Sequence, residues 1–270
     1  TATRMRTNGM TQNAFASRYE LAGSLAREAG ELARRMFENR DAGKFELKGD
    51  QDYLTEADAE VERLITTRIA AAFPADSVLG EEGGGLVGAS AWIIDPIDGT
   101  ANFARGNPHF CISIAYIRDG EPQVGVVYNP VSGELYAAQR GCGATLNGRA
   151  IRVSAISDMR RATIELGWST RRPLQDYVAM VRREFESGAG VLRQGSGALG
   201  MAYVAAGRTD GYAELHINAW DVLAGMLIVR EAGGWVNDFL ADGGMTRGNP
   251  ILGCTPGLRA ALVAATGVGK

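Results

Sequence analysis

Two carboxylates three positions apart, Asp95 and Asp98, close an apolar run, Trp92-Ile93-Ile94, of the kind that makes a buried strand. Pro96 between them fixes the backbone and supplies no N–H. Gly99-Thr100 follows as a helix start whose free N–H groups can hold an anion. Acids that bind a cation, set beside amides that bind phosphate, are what metal-assisted phosphoryl transfer requires. An isolated pair at this spacing also fits an ordinary Asp-Pro turn, so the surrounding chain decides its meaning. Further acids supply that context: Asp58, Glu81 with its neighbour Glu82, and Asp221. Taken singly, each has a bland explanation. Asp58 completes a capping box with Thr55, Asp221 sits in a first helical turn, and Glu81-Glu82 precedes the flexible Gly83-Gly84-Gly85. If they converge, they repel one another unless cations lie between them. A donor set made only of oxygens, with the Ile97 carbonyl as a possible member, favours Mg²⁺ first and Mn²⁺ second over zinc. His109 and His216 read as loop or packing residues.

The elements that must position these acids can be traced along the chain. Residues 1–10 read as a disordered lead-in, with Met10 as a possible natural start. Leu21, Leu25, Ala29, Leu32 and Met36 then recur at helical spacing over 14–39. A polar segment at 48–52 leads to a second helix after Thr55, with Val61, Leu64, Ile65, Ile69 and Phe73 on its apolar face. Beyond the central motif, 110–118, 124–128 and 134–139 read as a meander of strands, and Asn147-Gly148 as a hairpin turn. From about Ser154 strands and helices alternate, including helices at 174–186, 198–206 and 220–232. The chain therefore divides into an α+β half, 11–154, carrying an antiparallel sheet and most of the acids, and an α/β half, 155–270, completing the set.

At 270 residues and a net charge of −3, without a lysine- or arginine-rich block, the chain has no electrostatic footprint for nucleic acid. The three cysteines form no CxxC pair, which fits a reduced, cytoplasmic protein. No run of 18 apolar residues predicts a membrane span, and no signal peptide is legible.

Three segments, GEE at 80–82, DPIDGTANF at 95–103 and WDVLAGMLIVREAGG at 220–234, closely resemble the three signatures of the inositol monophosphatase family, in the family's order and spacing. The resemblance implies the layered αβαβα sandwich of sugar phosphatases and a homodimer. It also implies a lithium-sensitive phosphatase holding two to three Mg²⁺ ions. By the same resemblance Glu81, Asp95 and the Ile97 carbonyl hold one ion, while Asp95, Asp98 and Asp221 hold a second. Lys48 and Glu82 belong to an outer metal site. Thr100, hydrogen-bonded to Asp58, is the pair that orients and deprotonates the attacking water. Gly99 and Thr100 hold phosphate oxygens, Gly195-Ser196-Gly197 contacts the substrate ring, and Glu214 accepts hydrogen bonds from substrate hydroxyls. The expected reaction is direct hydrolysis of a small polyol phosphate, inositol 1-phosphate first. Histidinol phosphate is an alternative because Glu214 can pair with an ammonium; a 3′(2′),5′-bisphosphate nucleotide is another. Some bacterial relatives act as partners of the transcription machinery, a non-catalytic alternative that has no need of the acid set.

Overall fold

The computed structural model describes residues 2–40, 46–49 and 52–269, with side chains described over 15–40 and 55–269. A long helix, α1 (Ala2–Glu38), buries Ala22, Leu25, Ala26, Ala29 and Ala33, so small residues form its contact face while Leu21, Leu32 and Met36 lie at the margins. It starts well before the predicted boundary: residues 2–13 continue the helix in place of a lead-in, a stretch that holds no proline. The polar segment forms a hairpin, β1 (Glu46–Gly49) and β2 (Asp52–Leu54). Next, α2 (Glu56–Ala72) turns Val61, Ile65 and Ile69 fully inward.

Eight strands then form the larger sheet: β3 (Ser77–Gly80), β4 (Gly84–Gly85), β5 (Ser90–Asp98), β6 (Cys111–Arg118), β7 (Glu121–Asn129), β8 (Glu134–Gln139), β9 (Ala144–Leu146) and β10 (Arg149–Ala150). Their spatial order is β10-β9-β8-β7-β6-β5-β3-β4, and among the described residues β3 and β5 make its one parallel pair. A short helix, α3 (Thr100–Arg105), follows β5. Asn147 and Gly148, both at positive φ, make the predicted turn between β9 and β10.

The smaller sheet comprises β11 (Thr163–Leu166), β12 (Gly190–Leu192), β13 (Gly211–Ile217), β14 (Trp235–Val236) and β15 (Asn249–Cys254), ordered β12-β11-β13-β15-β14. The helices of this part are α4 (Leu174–Glu186), α5 (Gly197–Ala205), α6 (Ala219–Glu231), α7 (Gly244–Arg247) and α8 (Arg259–Thr266).

Three apolar clusters separate five layers. Trp92 and Ile94 of β5 pack beneath α1 and α2, whereas Ile93 faces α5 and α6, as alternation along a strand demands. The helices α5 and α6 fill the space between the two sheets, so Val222 to Val229 of α6 are buried all round. The close fit needs Gly125 on β7, where a Cβ would stand 2.6 Å from the Ala224 carbonyl of α6. The smaller sheet is covered on its far side by α4 and α8 through Ile164, Leu166, Met180, Leu258 and Leu262. The result is the αβαβα sandwich the sequence implied.

Candidate active site

The parallel pairing of β3 with β5 brings the first two acids together. Leu79 pairs with Ile93 and Gly80 with Ile94, so the next residues, Glu81 just past β3 and Asp95 still within β5, stand side by side at one end of this pair. Asp221 arrives from the middle layer as the third residue of α6, its Oδ2 accepting the Asn218 N–H at 3.0 Å. Glu81, Asp95 and Asp221 each offer a carboxylate oxygen within 4.8 Å of the others. Asp95 is only 1% exposed, and its Oδ1 accepts the Ile97 N–H at 2.9 Å.

Burial, then the like charges of Glu81, Asp98 and Asp221, raise the Asp95 pKa well above the carboxylate range. Burial and the charge of Asp98 push Asp221 up to about 8. Such a cluster is a protonated or repulsive arrangement on its own and a satisfied one around a cation. Its donors fit a hard divalent ion: all are oxygens, and the described residues within the set include no His or Cys.

The structure places Asp98 beside this trio rather than in it. Three residues of β5, Asp95 to Asp98, advance against two of β6, from Ser113 to Cys111, so the strand bulges at Pro96 and Ile97 and continues to Asp98. The strand therefore runs on past the first acid, and the bulge relieves Pro96 of a ladder bond. Re-aimed by this bulge, Asp98 accepts the Ser196 hydroxyl at 2.5 Å and the Ala198 N–H at 2.7 Å on Oδ2, with the Gly197 N–H 3.3 Å from Oδ1. It ties β5 to the start of α5, and burial raises its pKa despite these bonds.

On the opposite side, Asp58 is fully buried on α2, where Oδ2 accepts the backbone N–H and hydroxyl of Thr55 at 2.8 and 2.6 Å. Its other oxygen, Oδ1, lies 3.1 Å from the Thr100 hydroxyl, which is also 2.9 Å from the Ile97 carbonyl. Asp58 thus serves as helix cap and Thr100 partner together. Burial pushes its pKa up to about 6. Gly99 precedes α3 at φ 96°, and a Cβ there would lie 2.9 Å from the His109 carbonyl, so this turn accepts only glycine.

The predicted ring-contact segment, Gly195-Ser196-Gly197, forms the turn into α5, with Ser196 as the N-cap accepting from Leu199. Glu214 on β13 is 7% exposed and accepts the Tyr212 hydroxyl at 2.7 Å; burial pushes its pKa up to about 7. Gly167 leaves room for it, since a Cβ there would lie 2.0 Å from Glu214 Oε2. Behind them Glu165, with its pKa also raised to about 7 by burial, accepts from the Gln194 side chain at 3.1 Å. The Lys48 side chain, assigned to the outer metal position, lies outside the described residues. Glu82 is half-buried next to Glu81, and its charge acts on Asp58.

Sequence reasoning missed Glu62. One turn after Asp58 on α2, it is 7% exposed and accepts the N–H groups of Glu82 at 2.9 Å and Gly83 at 2.6 Å. The available signal was an acid between Val61 and Ile65 on the apolar face of a helix, a place where a carboxylate must find donors.

A profile of the inositol monophosphatase family matches residues 16–266. The chain belongs to the inositol monophosphatase family. An inositol-1-monophosphatase of Rhizobium meliloti (strain 1021) is 44% identical over 238 residues, spanning 86% of this chain and 85% of its own. Nus factor SuhB of Escherichia coli (strain K12) is 39% identical over 241 residues, spanning 85% of this chain and 90% of that protein. Among solved structures, the extragenic suppressor protein suhB from Bartonella henselae superposes with a TM-score of 0.85 at 36% identity, covering 93% of this chain and 98% of that one. Family membership supports phosphatase activity. The inositol monophosphatase signatures read in the sequence coincide with the loops and helix starts that carry Glu81, Asp95 and Asp221.

Proposed function

We propose that this family member is a Mg²⁺-dependent phosphomonoesterase that hydrolyses a small polyol phosphate, inositol 1-phosphate by preference, with water as the direct nucleophile. The observation that carries the proposal is the convergence of Glu81, Asp95 and Asp221 within 4.8 Å, next to the Thr100–Asp58 hydrogen bond. Glu81, Asp95 and Asp221 would hold Mg²⁺, with the Ile97 carbonyl and Asp98 at its margin and Mn²⁺ as a substitute. Bound Mg²⁺ supplies charge neutralisation at the phosphate oxygens and a lowered pKa for water.

The chain's own residues do the rest. Thr100 accepts the proton of the attacking water as its own hydroxyl proton passes to Asp58 Oδ1, already within hydrogen-bond reach. An Asp58 pKa of about 6 suits a base that works near neutrality. The N–H groups of Gly99 and Thr100 orient the phosphate from the turn that only Gly99 can form. Glu214, held by Tyr212, receives a hydroxyl of the leaving polyol, with Gly195 to Gly197 assigned to its ring. Lys48 and Glu82 are assigned to an outer ion. Lithium sensitivity, a homodimer and a cytoplasmic setting complete this assignment.

The name Nus factor SuhB, carried by the Escherichia coli relative among others, favours one second reading: a partner of the transcription machinery. Phosphate release from inositol 1-phosphate, histidinol phosphate and a 3′(2′),5′-bisphosphate nucleotide, assayed with and without Mg²⁺, separates the possibilities. Inositol 1-phosphate is expected to give the highest kcat/KM. Preference for another ester reassigns the substrate, and folded protein inert toward all three with Mg²⁺ moves the partner role ahead.

A further inference from the structure

We propose that Glu62 is the positioning residue for the loop that carries Glu81, and that metal affinity depends on its carboxylate. The inference rests on the metal-dependent assignment above. Glu81 follows the last residue of β3, and nothing in strand pairing dictates where its side chain points once the chain has left the sheet. The next two peptide groups are held by a single side chain. Glu62 takes the Glu82 N–H on Oε2 and the Gly83 N–H on Oε1, one oxygen per peptide. Fixing two successive peptide planes fixes the direction in which Glu81 leaves the backbone, toward Asp95.

The loop is shaped around this carboxylate. At Gly80 a Cβ would stand 2.6 Å from the Glu62 carboxyl carbon, and at Gly83 it would stand 2.6 Å from Oε1. Glycines on both sides of the two acids therefore make room for Glu62, besides the flexibility that the glycine run conveys in the sequence. Asp58 lies one turn before Glu62 on the same buried face of α2. A single helix thus sets the Thr100 partner and the loop of a proposed metal ligand relative to each other, so a shift of α2 moves both. Glu62 itself lies outside the group of carboxylates that meet in the cluster.

The test compares Glu62→Gln and Gly83→Ala with wild type. Glutamine keeps one acceptor but turns an amide N–H₂ against the second backbone donor. Alanine at 83 presses on Oε1 from the loop side without touching α2. Mn²⁺ binding is read by calorimetry in the absence of substrate, alongside circular dichroism of the metal-free proteins, with Asp95→Asn as the control that loses the cluster. Each variant is expected to bind Mn²⁺ about 10- to 100-fold more weakly while keeping the wild-type spectrum, as losses of supporting hydrogen bonds around metal ligands do. The double variant is expected to bind no more weakly than the worse single one, because both act through one contact. Folded variants that bind Mn²⁺ as tightly as wild type overturn the proposal, and so does additive loss in the double variant. If Glu62→Gln fails to fold, Gly83→Ala alone decides by the same affinity criterion. Wild-type protein that neither binds Mn²⁺ nor hydrolyses esters refutes instead the metal-dependent function on which the inference stands.

Discussion

Two buried polar regions of this molecule lie at opposite ends of β3, one at Asp76 and one at Glu81, and differ in what surrounds their carboxylates. Beneath α1, Asp76 receives both arms of the Arg18 guanidinium at 2.9 Å and the Trp92 indole N–H at 3.0 Å. The guanidinium is also packed 4.1 Å from the Phe73 ring centre and 4.7 Å from that of Tyr116. Every charge there has a partner within the chain. At the other end, Asp95 meets Glu81 and Asp221, and the charges that act on it most strongly share its sign. The first region holds α1 against the sheet; the second costs folding energy, which a cation held there as the proposed function requires would offset. The candidate site is marked by carboxylates that the fold gathers with others of the same sign.

The largest expected effect breaks the like-charged side. Asp95→Asn should lower turnover at least about a thousandfold, on the order of 4 kcal/mol of barrier. The same change should raise the metal-free melting temperature by removing one like charge. Steady-state kinetics and calorimetry on one preparation test both, and wild-type turnover would refute a central role for Asp95. Breaking the paired side should do the reverse. Asp76→Ala strands the Arg18 guanidinium and should cost about 3–5 kcal/mol in denaturant unfolding, with turnover per folded molecule preserved.

Acidity sharpens the contrast without mutation. Asp58, Glu165, Glu214 and Asp221 have folded-state pKa values raised to about 6, 7, 7 and 8. An acid whose pKa is raised by folding holds its proton in the native state after the unfolded chain has released it. Stability of the metal-free protein should therefore fall as pH rises from about 4 to 8. Melts in chelator across that range test this, and added Mg²⁺ should flatten the fall; a metal-free stability that climbs with pH contradicts it.

Glu184 gives a smaller version far from the site. Fully buried on α4, with neither oxygen hydrogen-bonded, it has a pKa pushed up to about 7 by burial. Between pH 5 and 8, Glu184→Gln should gain about 2 kcal/mol relative to wild type. At the small end, Arg34, paired on the exposed face of α1 with Glu31 and Glu38, should be replaceable by alanine with no measurable change in melting temperature.

Local patterns made much of this legible. The ranges of β8, β11 and α4 match their periodic runs, because alternation and amphipathic spacing are properties of adjacent residues. Glu81, Asp95 and Asp221 stood out in the sequence since each follows an apolar run or opens a helix. Features set by distant approach were not. Asp98 turns to α5 through Ser196 and Ala198, nearly a hundred positions away, and no neighbouring residue announces that contact. Glu62 went unread because its donors belong to a loop twenty residues on. The strand through Pro96 was hidden for a similar reason: a bulge is settled by the partner strand.

The carboxylate trio is drawn from the loop after β3, from β5 and from α6, segments far apart in the sequence. A nascent chain emerging from the ribosome exposes Glu81 and Asp95 long before Asp221 is synthesised, and until then the cage lacks one wall. On the proposed metal-dependent function, ion capture would therefore begin only after the middle helices have been sealed between the sheets, which would make divalent-ion uptake a natural clock for the last stage of this protein's assembly.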